Sequence, residues 1–190
     1  MEDIPTFGFA DCLWCKLCVH GIKRIVGVCY QSPESSSVND EALLLMFNSV
    51  GELADANTCI MIMGDFNLPN VDFRTSSAHG ASDSFAGRVH DCLLDNFWKQ
   101  HVTDFTRMRD NQTPSCLDFM ITDDPDIVGE LTYEEPIGKS DHLCLFGSCL
   151  FANRVLQTIL SIITAGRRIT MPLERSSLGL TGRGSLRINQ

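Results

Sequence analysis

A chain of 190 residues, 44% hydrophobic and 21% charged, is long enough for one domain with a real core and excludes disordered, collagen-like and coiled-coil architectures. Lys and Arg number 15 against 24 Asp and Glu, and the resulting net charge of −9 argues against nucleic-acid binding driven by bulk charge alone. The charge is uneven: six arginines (Arg154, Arg167, Arg168, Arg175, Arg183, Arg187) face a single acid, Glu174, after residue 150, so a short basic tail follows a long acidic body.

In chain order, two strand-like runs come first. Cys12 to Val19 and Arg24 to Tyr30 flank His20-Gly21, which predicts a hairpin. Gln31 to Ser37 breaks regular structure around Pro33. Ser37 and Asp40 fit a loose capping box, and Leu43, Met46, Phe47, Val50 and Leu53 then mark one face of a helix. Cys59 to Met63 is a continuous apolar run of strand length, suited to burial on both faces. Residues 71–83 read as loop. A second amphipathic helix is expected from Phe85 to Trp98, with Phe85, Val89, Cys92, Leu93 and Phe97 on one side. Gln100 to Arg107 and Ser115 to Thr122 predict strands around the polar turn at 109–112, Ile127 to Tyr133 a further strand, and His142 to Phe151 another. Strands and helices alternate without a strict repeat, which points to an α/β protein with a mixed sheet covered by helices.

Nine cysteines are an odd number, and the acidic start Met1-Glu2-Asp3 offers no apolar targeting core. Reduced thiols in a nuclear or cytoplasmic, non-secreted protein are expected. The apolar run from Val155 to Ile163 is too short to span a bilayer. Cys12, Cys15 and Cys18 have the spacing of a metal comb, but position 22 is Ile22 where a fourth sulfur is required, so an ordinary strand is the better reading.

Three short segments carry chemistry. In Gly64-Asp65-Phe66-Asn67, side chains two apart share a face, so Asp65 and Asn67 project together while Phe66 anchors the other side. A carboxylate beside a carboxamide orients a water or helps hold a divalent ion, although both residues are also ordinary turn formers. In Ser140-Asp141-His142, the imidazole is a candidate donor to a phosphate oxygen, or a surface loop residue. Asp118 lies inside an apolar strand pattern, where burial is costly without a partner; an imidazole N–H would suit it, as would the solvent face of a half-exposed strand.

Taken together these residues resemble the endonuclease/exonuclease/phosphatase superfamily, and most nearly the apurinic-type endonuclease domain of LINE-class (non-LTR) retrotransposons. The resemblance runs from Trp14 to Leu145 through Val26-Gly27-Val28-Cys29-Tyr30-Gln31-Ser32-Pro33, Ile62-Met63-Gly64-Asp65-Phe66-Asn67-Leu68-Pro69, Gln100 to Arg107, Leu117-Asp118-Phe119 and Ser140-Asp141-His142. It implies a four-layer α/β/β/α sandwich of the deoxyribonuclease-I-like type.

By that resemblance Tyr30 contacts the scissile phosphate, Asp65 activates water and Asn67 positions that water or its phosphate target. His142 stabilises the pentacovalent phosphate with Asp118 orienting its ring, and Asp141 lies by the metal or assists His142. Thr106 and Arg107 contact substrate, Mg²⁺ or Mn²⁺ is the cofactor, and DNA is the partner. All four residues Asp65, Asn67, Asp118 and His142 are expected to converge.

Family members open with a strand bearing an Asn and a second ending in a metal-binding Glu. Neither has a counterpart before Trp14, which implies a domain incomplete at its N-terminus and impaired in activity. Residues 1–153 are expected to form this partial domain and 154–190 a basic tail. Another superfamily phosphatase or ribonuclease, and a non-catalytic nucleic-acid-binding remnant, are the alternatives.

Overall fold

A computed structural model describes residues 4–19, 21–75, 77–78, 83–151, 154–158, 161–163 and 168–170. The chain divides into two compact units. The first comprises residues 1–104 and 116–125, the second residues 105–115 and 126–190.

The first unit opens with β1 (Cys12–Val19) and β2 (Ile22–Tyr30), an antiparallel pair in the register Cys12 to Cys29 through Val19 to Ile22, as the expected hairpin. His20 lies outside the described residues. Helix α1 (Ser37–Gly51) follows, then β3 (Thr58–Asp65), β4 (Val71–Asp72), β5 (Ser77–Ala78), α2 (Phe85–Asp95), β6 (Lys99–Gln100) and β7 (Asp118–Thr122). Five of these strands form one mixed sheet in the order β1-β2-β3-β7-β6, with β3 parallel to β2 and antiparallel to β7. Every residue of β3 is buried, as the apolar run Cys59–Met63 predicts.

Alternation along the central strands separates two faces. Ile60 and Ile62 of β3, Ile25 and Cys29 of β2, and Phe119 and Ile121 of β7 share a core with α1 and α2. In that core Phe66 stacks on Phe119 at 5.0 Å between ring centroids, and Phe47 meets both Phe66 and Trp98. Residues of opposite parity, among them Val26, Val28, Met61, Met63 and Met120, are buried on the other face. Tyr30, Asp65 and Asp118 share that second parity. Between the helices, Arg88 forms a bidentate ion pair with Glu41.

Several expectations need correction. The cap of α1 is Ser36, whose hydroxyl accepts from the Asn39 N–H, so the helix starts one residue before the predicted box. Leu53 lies beyond the helix end and is 38% exposed. Phe97, expected on the buried face of α2, lies past its end with φ +56 and is 90% exposed, while Trp98 takes the buried position. The loop at 71–83 contains the two-residue strands β4 and β5, paired Val71 to Ala78.

The strand predicted at 100–107 stops at Gln100. The carboxamide of Gln100 accepts from the N–H groups of Val102 and Met120, and donates to the Val102 carbonyl. A side chain therefore replaces the backbone in the ladder beside β7 and ends the strand.

The second unit holds β8 (Val128–Glu134), β9 (Cys144–Phe151), β10 (Arg154–Thr158), β11 (Ser161–Ile163) and β12 (Arg168–Thr170). Three form an antiparallel sheet in the order β10-β9-β8, and β11 pairs with β12. The last predicted strand thus begins at Cys144, because His142 is engaged in an isolated bridge to Arg107 instead. Backbone pairing continues past residue 153 into part of the basic segment; residues 171–190, with three of its arginines, lie outside the described residues.

Among the described residues no helix is long and apolar enough to cross a membrane. Cys29, Cys59, Cys92, Cys144 and Cys149 are buried and not in disulfides, whereas Cys15 and Cys18 are exposed.

Candidate active site

In the first unit, register alone brings three candidates into a row. Tyr30, the last residue of β2, pairs with Asp65, the last of β3, and Asp65 pairs with Asp118, the first of β7. Directly opposed residues on neighbouring strands project to one face. A carboxylate oxygen of Asp65 and one of Asp118 lie within 4.8 Å of each other, and the two residues are 5% and 1% exposed. Tyr30 is 40% exposed. Its phenol is held above its usual range by burial first, then by the negative charges of Asp65 and Asp11, so it stays a hydrogen-bond donor at neutral pH.

The strand end is built for close approach. Gly64 has φ +152, and a Cβ there would collide with the Cys29 carbonyl oxygen on β2, so only glycine lets the two strands run this close beside Asp65. Phe66 then drops into the aromatic core, its N–H donating to the Leu117 carbonyl at 2.7 Å.

Asn67 follows at φ +47, a conformation that Asn tolerates. Strand alternation therefore ends at Asp65, and Asn67 is held by specific bonds instead. Its backbone N–H donates to Asp65 Oδ1 at 3.1 Å, and its Nδ2 donates to the Gln31 carbonyl at 2.8 Å. Asp65 and Asn67 are together as expected, but through a turn rather than a pleat.

In the second unit the other four candidates meet. Thr106 is fully buried, and its carbonyl accepts from the Leu143 N–H at 2.7 Å. The Met108 N–H donates to the Asp141 carbonyl at 2.8 Å. Those two bonds flank Arg107 and His142, making them a narrow antiparallel pair whose side chains lie side by side. His142 is 8% exposed, and its N–H donates to the Ser140 hydroxyl at 3.0 Å.

The Asp141 carboxylate is gripped by two guanidinium groups, Arg107 Nε at 2.9 Å and Arg109 Nη2 at 2.8 Å, both on Oδ2. Partial burial opposes its charge, but the Arg107 hydrogen bond and the two positive charges outweigh this, holding the carboxyl below its usual range.

Two residues of these arrangements escaped the sequence reading. Arg109 lay in a polar turn, with nothing local to show that it reaches Asp141. Gln31 is 2% exposed, and a buried glutamine just after a strand carries no periodic signal.

The donor set of the first unit suits a hard divalent cation. Two buried carboxylates on facing strands supply the oxygen ligands that Mg²⁺ or Mn²⁺ prefers and gain from a positive charge between them. Asp65 and Asp118 are the residues there that would hold such an ion, which would polarise a phosphate and neutralise developing charge.

A comparison with solved structures places this fold among known ones. The endonuclease domain of TRAS1, a telomere-specific non-LTR retrotransposon, is similar with a TM-score of 0.58 at 14% sequence identity, covering 75% of this chain and 64% of that one. The chain thus spans somewhat less than two thirds of that domain's length. A 3′ phosphatase, NExo from Neisseria, solved with a product DNA hairpin, gives 0.49 at 12% identity, covering 73% of this chain and 65% of that one. An AP endonuclease from Archaeoglobus fulgidus gives 0.45 at 14% identity, with 68% and 62% covered.

No curated protein sequence matches the chain significantly. The family model described as "Endonuclease-reverse transcriptase" matches residues 25–146, well over half of the chain. That stretch holds all eight candidate residues, and with the fold it places this chain in the endonuclease-reverse transcriptase family of the endonuclease/exonuclease/phosphatase superfamily.

Proposed function

We propose that this chain hydrolyses phosphodiester bonds with a divalent metal ion, with impaired activity, and that its substrate is DNA, nicked to leave a 3′-hydroxyl end as a retrotransposon endonuclease does. The observation that carries the reading is the row Tyr30, Asp65, Asp118 on one face of one sheet end, with Asn67 tied to Asp65. A phenol and two carboxylates, groups suited to phosphate contact, water activation and cation binding, meet there through strand register.

In this reading the Asp65 carboxylate takes a proton from the attacking water, and the Asn67 carboxamide fixes that water or the phosphate it attacks. The protonated Tyr30 phenol donates to a phosphate oxygen. His142 donates to the oxygen on which charge builds, and Asp118 faces the cation. For Asp141, expected by the metal or assisting His142, two guanidinium partners on Oδ2 favour a bracing role over ligation, since their positive charges already neutralise the carboxylate and repel a cation. Arg107, half-buried beside His142, is the candidate contact to the phosphate backbone, with Thr106 holding its strand in place.

Nicking of supercoiled plasmid in Mg²⁺ or Mn²⁺ tests the proposal. Wild type is expected to convert plasmid slowly to the open circular form, and Asp65→Ala and His142→Ala to lose at least about a hundredfold of that rate. Wild type that fails to nick DNA in either ion, or nicking unchanged by both substitutions, overturns it. Faster turnover of a phosphomonoester or an RNA strand in the same panel would move the substrate, not the chemistry.

A further inference from the structure

Gln31 uses all of its polar groups at one point of the first unit. Its backbone N–H donates to the Asp65 carbonyl at 2.8 Å, and its backbone carbonyl accepts from Asn67 Nδ2 at 2.8 Å. Its side chain reaches the other way: Nε2 donates to Asp40 Oδ1 at 2.5 Å, and Oε1 accepts from Asn39 Nδ2 at 3.2 Å. Asn39 and Asp40 belong to the first turn of α1, beside the Ser36 cap. One buried residue thus ties the end of β3 to the start of a helix that packs on the opposite face of the sheet.

We infer that Gln31 is a positioning residue for hydrolysis, acting through Asn67: its carbonyl holds the Asn67 carboxamide in one orientation, and its side chain locks that carbonyl to α1. The inference rests on the function proposed above, which makes Asn67 a contact to water or phosphate. It adds the residue that sets where that contact points.

A carboxamide on a single exposed bond rotates freely and gives no fixed direction. Nδ2 bound to a carbonyl fixes the amide plane, and with it the direction of Oδ1. The carbonyl is a rigid anchor only while residue 31 is itself rigid. The segment from Ser32 to Ser35 that follows lies mostly at the surface, so the bonds to Asp40 and Asn39 supply the rigidity. Burial of a glutamine with both its carboxamide nitrogen and its oxygen bonded is stabilising only as a set, and losing half of it frees the backbone.

The test is a double-mutant cycle on the full chain, read by plasmid nicking and by NMR. Gln31→Met keeps the volume and removes both side-chain bonds. It should lower kcat about 10- to 100-fold with KM changed less than about twofold, since misplacement acts on the reacting geometry rather than on binding. In an Asn67→Ala background the same substitution should change kcat no further, while lowering Tm as much as it does alone.

The side-chain amide protons of Asn67 supply a readout that needs no turnover. Their shifted, exchange-protected resonances in wild type should move toward the shifts of a free asparagine and lose exchange protection in Gln31→Met. Asp40→Ala, a milder change at a half-exposed residue, should shift them in the same direction and by less. Losses in kcat that multiply in the double mutant, or Asn67 amide resonances unmoved by both substitutions, overturn the inference. Nicking unaffected by Asn67→Ala itself overturns instead the function on which it rests.

Discussion

Asp65 and Asp118 stand directly opposite one another on β3 and β7, with carboxylate oxygens within 4.8 Å and both residues nearly sealed from solvent. Two like charges so placed repel, and a cation between them relieves the repulsion. Mn²⁺ should therefore raise the Tm of the wild-type chain. A hundredfold excess over Kd corresponds to about 2.7 kcal/mol of added stability. Asp65→Asn should abolish most of that shift while costing little stability in the absence of metal, because it removes one of the two charges. Thermal denaturation with and without Mn²⁺ checks both halves. An equal metal-induced shift in the variant would show that the ion binds elsewhere.

Gly64 is the point where β2 and β3 come closest beside Asp65. Gly64→Ala puts a methyl group against the Cys29 carbonyl at a φ that alanine rarely adopts. A loss of about 2–4 kcal/mol is expected, near the upper end for single substitutions. Urea unfolding measures it. A loss below about 0.5 kcal/mol would mean that the strands move apart at little cost.

Asp141 bears on acid stability. Its folded-state carboxyl lies below the ordinary range of about 3.9, so its contribution is present above that value and disappears as pH falls through the lower folded value. Asp141→Asn should destabilise at pH 7 by about 1 kcal/mol or less, since the pair with Arg107 is partly exposed and screened by solvent. The difference between variant and wild type should shrink as pH falls below the ordinary carboxylate range and through the lower folded value. Unfolding midpoints measured from pH 7 to pH 3 would show the two curves converging.

His101 acts in the same sense at higher pH. Burial first, then the Lys99 charge, pull its imidazole down to about 4, with Asp124 opposing, and Nε2 lies 2.7 Å from the Thr122 hydroxyl. An unfolded histidine titrates near 6.5, so between about 6.5 and 4 the unfolded chain binds the extra proton and stability falls as pH falls. With the ring partly exposed, on the order of 1–2 kcal/mol is involved. His101→Gln should flatten this limb of the stability profile and leave the limb below pH 4 in place.

The cysteines divide by location. Cys15 and Cys18 are exposed on opposite faces of β1 and should react first with a maleimide, whereas burial and neighbouring acids push Cys59 and Cys116 up to about 12. Intact-mass spectrometry during labelling of the native chain should show early adducts at Cys15 and Cys18. Added Zn²⁺ should not protect them, because alternation on the strand separates Cys15 from Cys12 and Cys18.

Much of the local structure was legible in the sequence. The hairpin of β1 and β2, the doubly buried β3 and the apolar face of α1 all follow from repeats of 2 or 3.6 residues among chain neighbours, and the structure keeps them. What failed did so for identifiable reasons. Phe97 matched the helical repeat, but the helix ends at Asp95 and the chain turns left-handed. The strand after Gln100 is stopped by that residue's own carboxamide, a bond that no periodicity anticipates.

The candidate residues were legible one at a time, and their arrangement was not. The motif around Asp65 displayed a carboxylate and a carboxamide, but placing Asn67 required a left-handed turn and the carbonyl of Gln31, a residue 36 positions earlier.

The amino-acid order by itself determined which residue types were present, which stretches form strands or helices, and the family to which the chain belongs, because these depend on local periodicity and short motifs. Only the tertiary structure decided that Tyr30, Asp65 and Asp118 share a row and that Asp141 is gripped by two arginines. Both outcomes depend on pairing between segments far apart in the chain. A register shift of one residue would keep every local preference and turn each of those side chains to the opposite face.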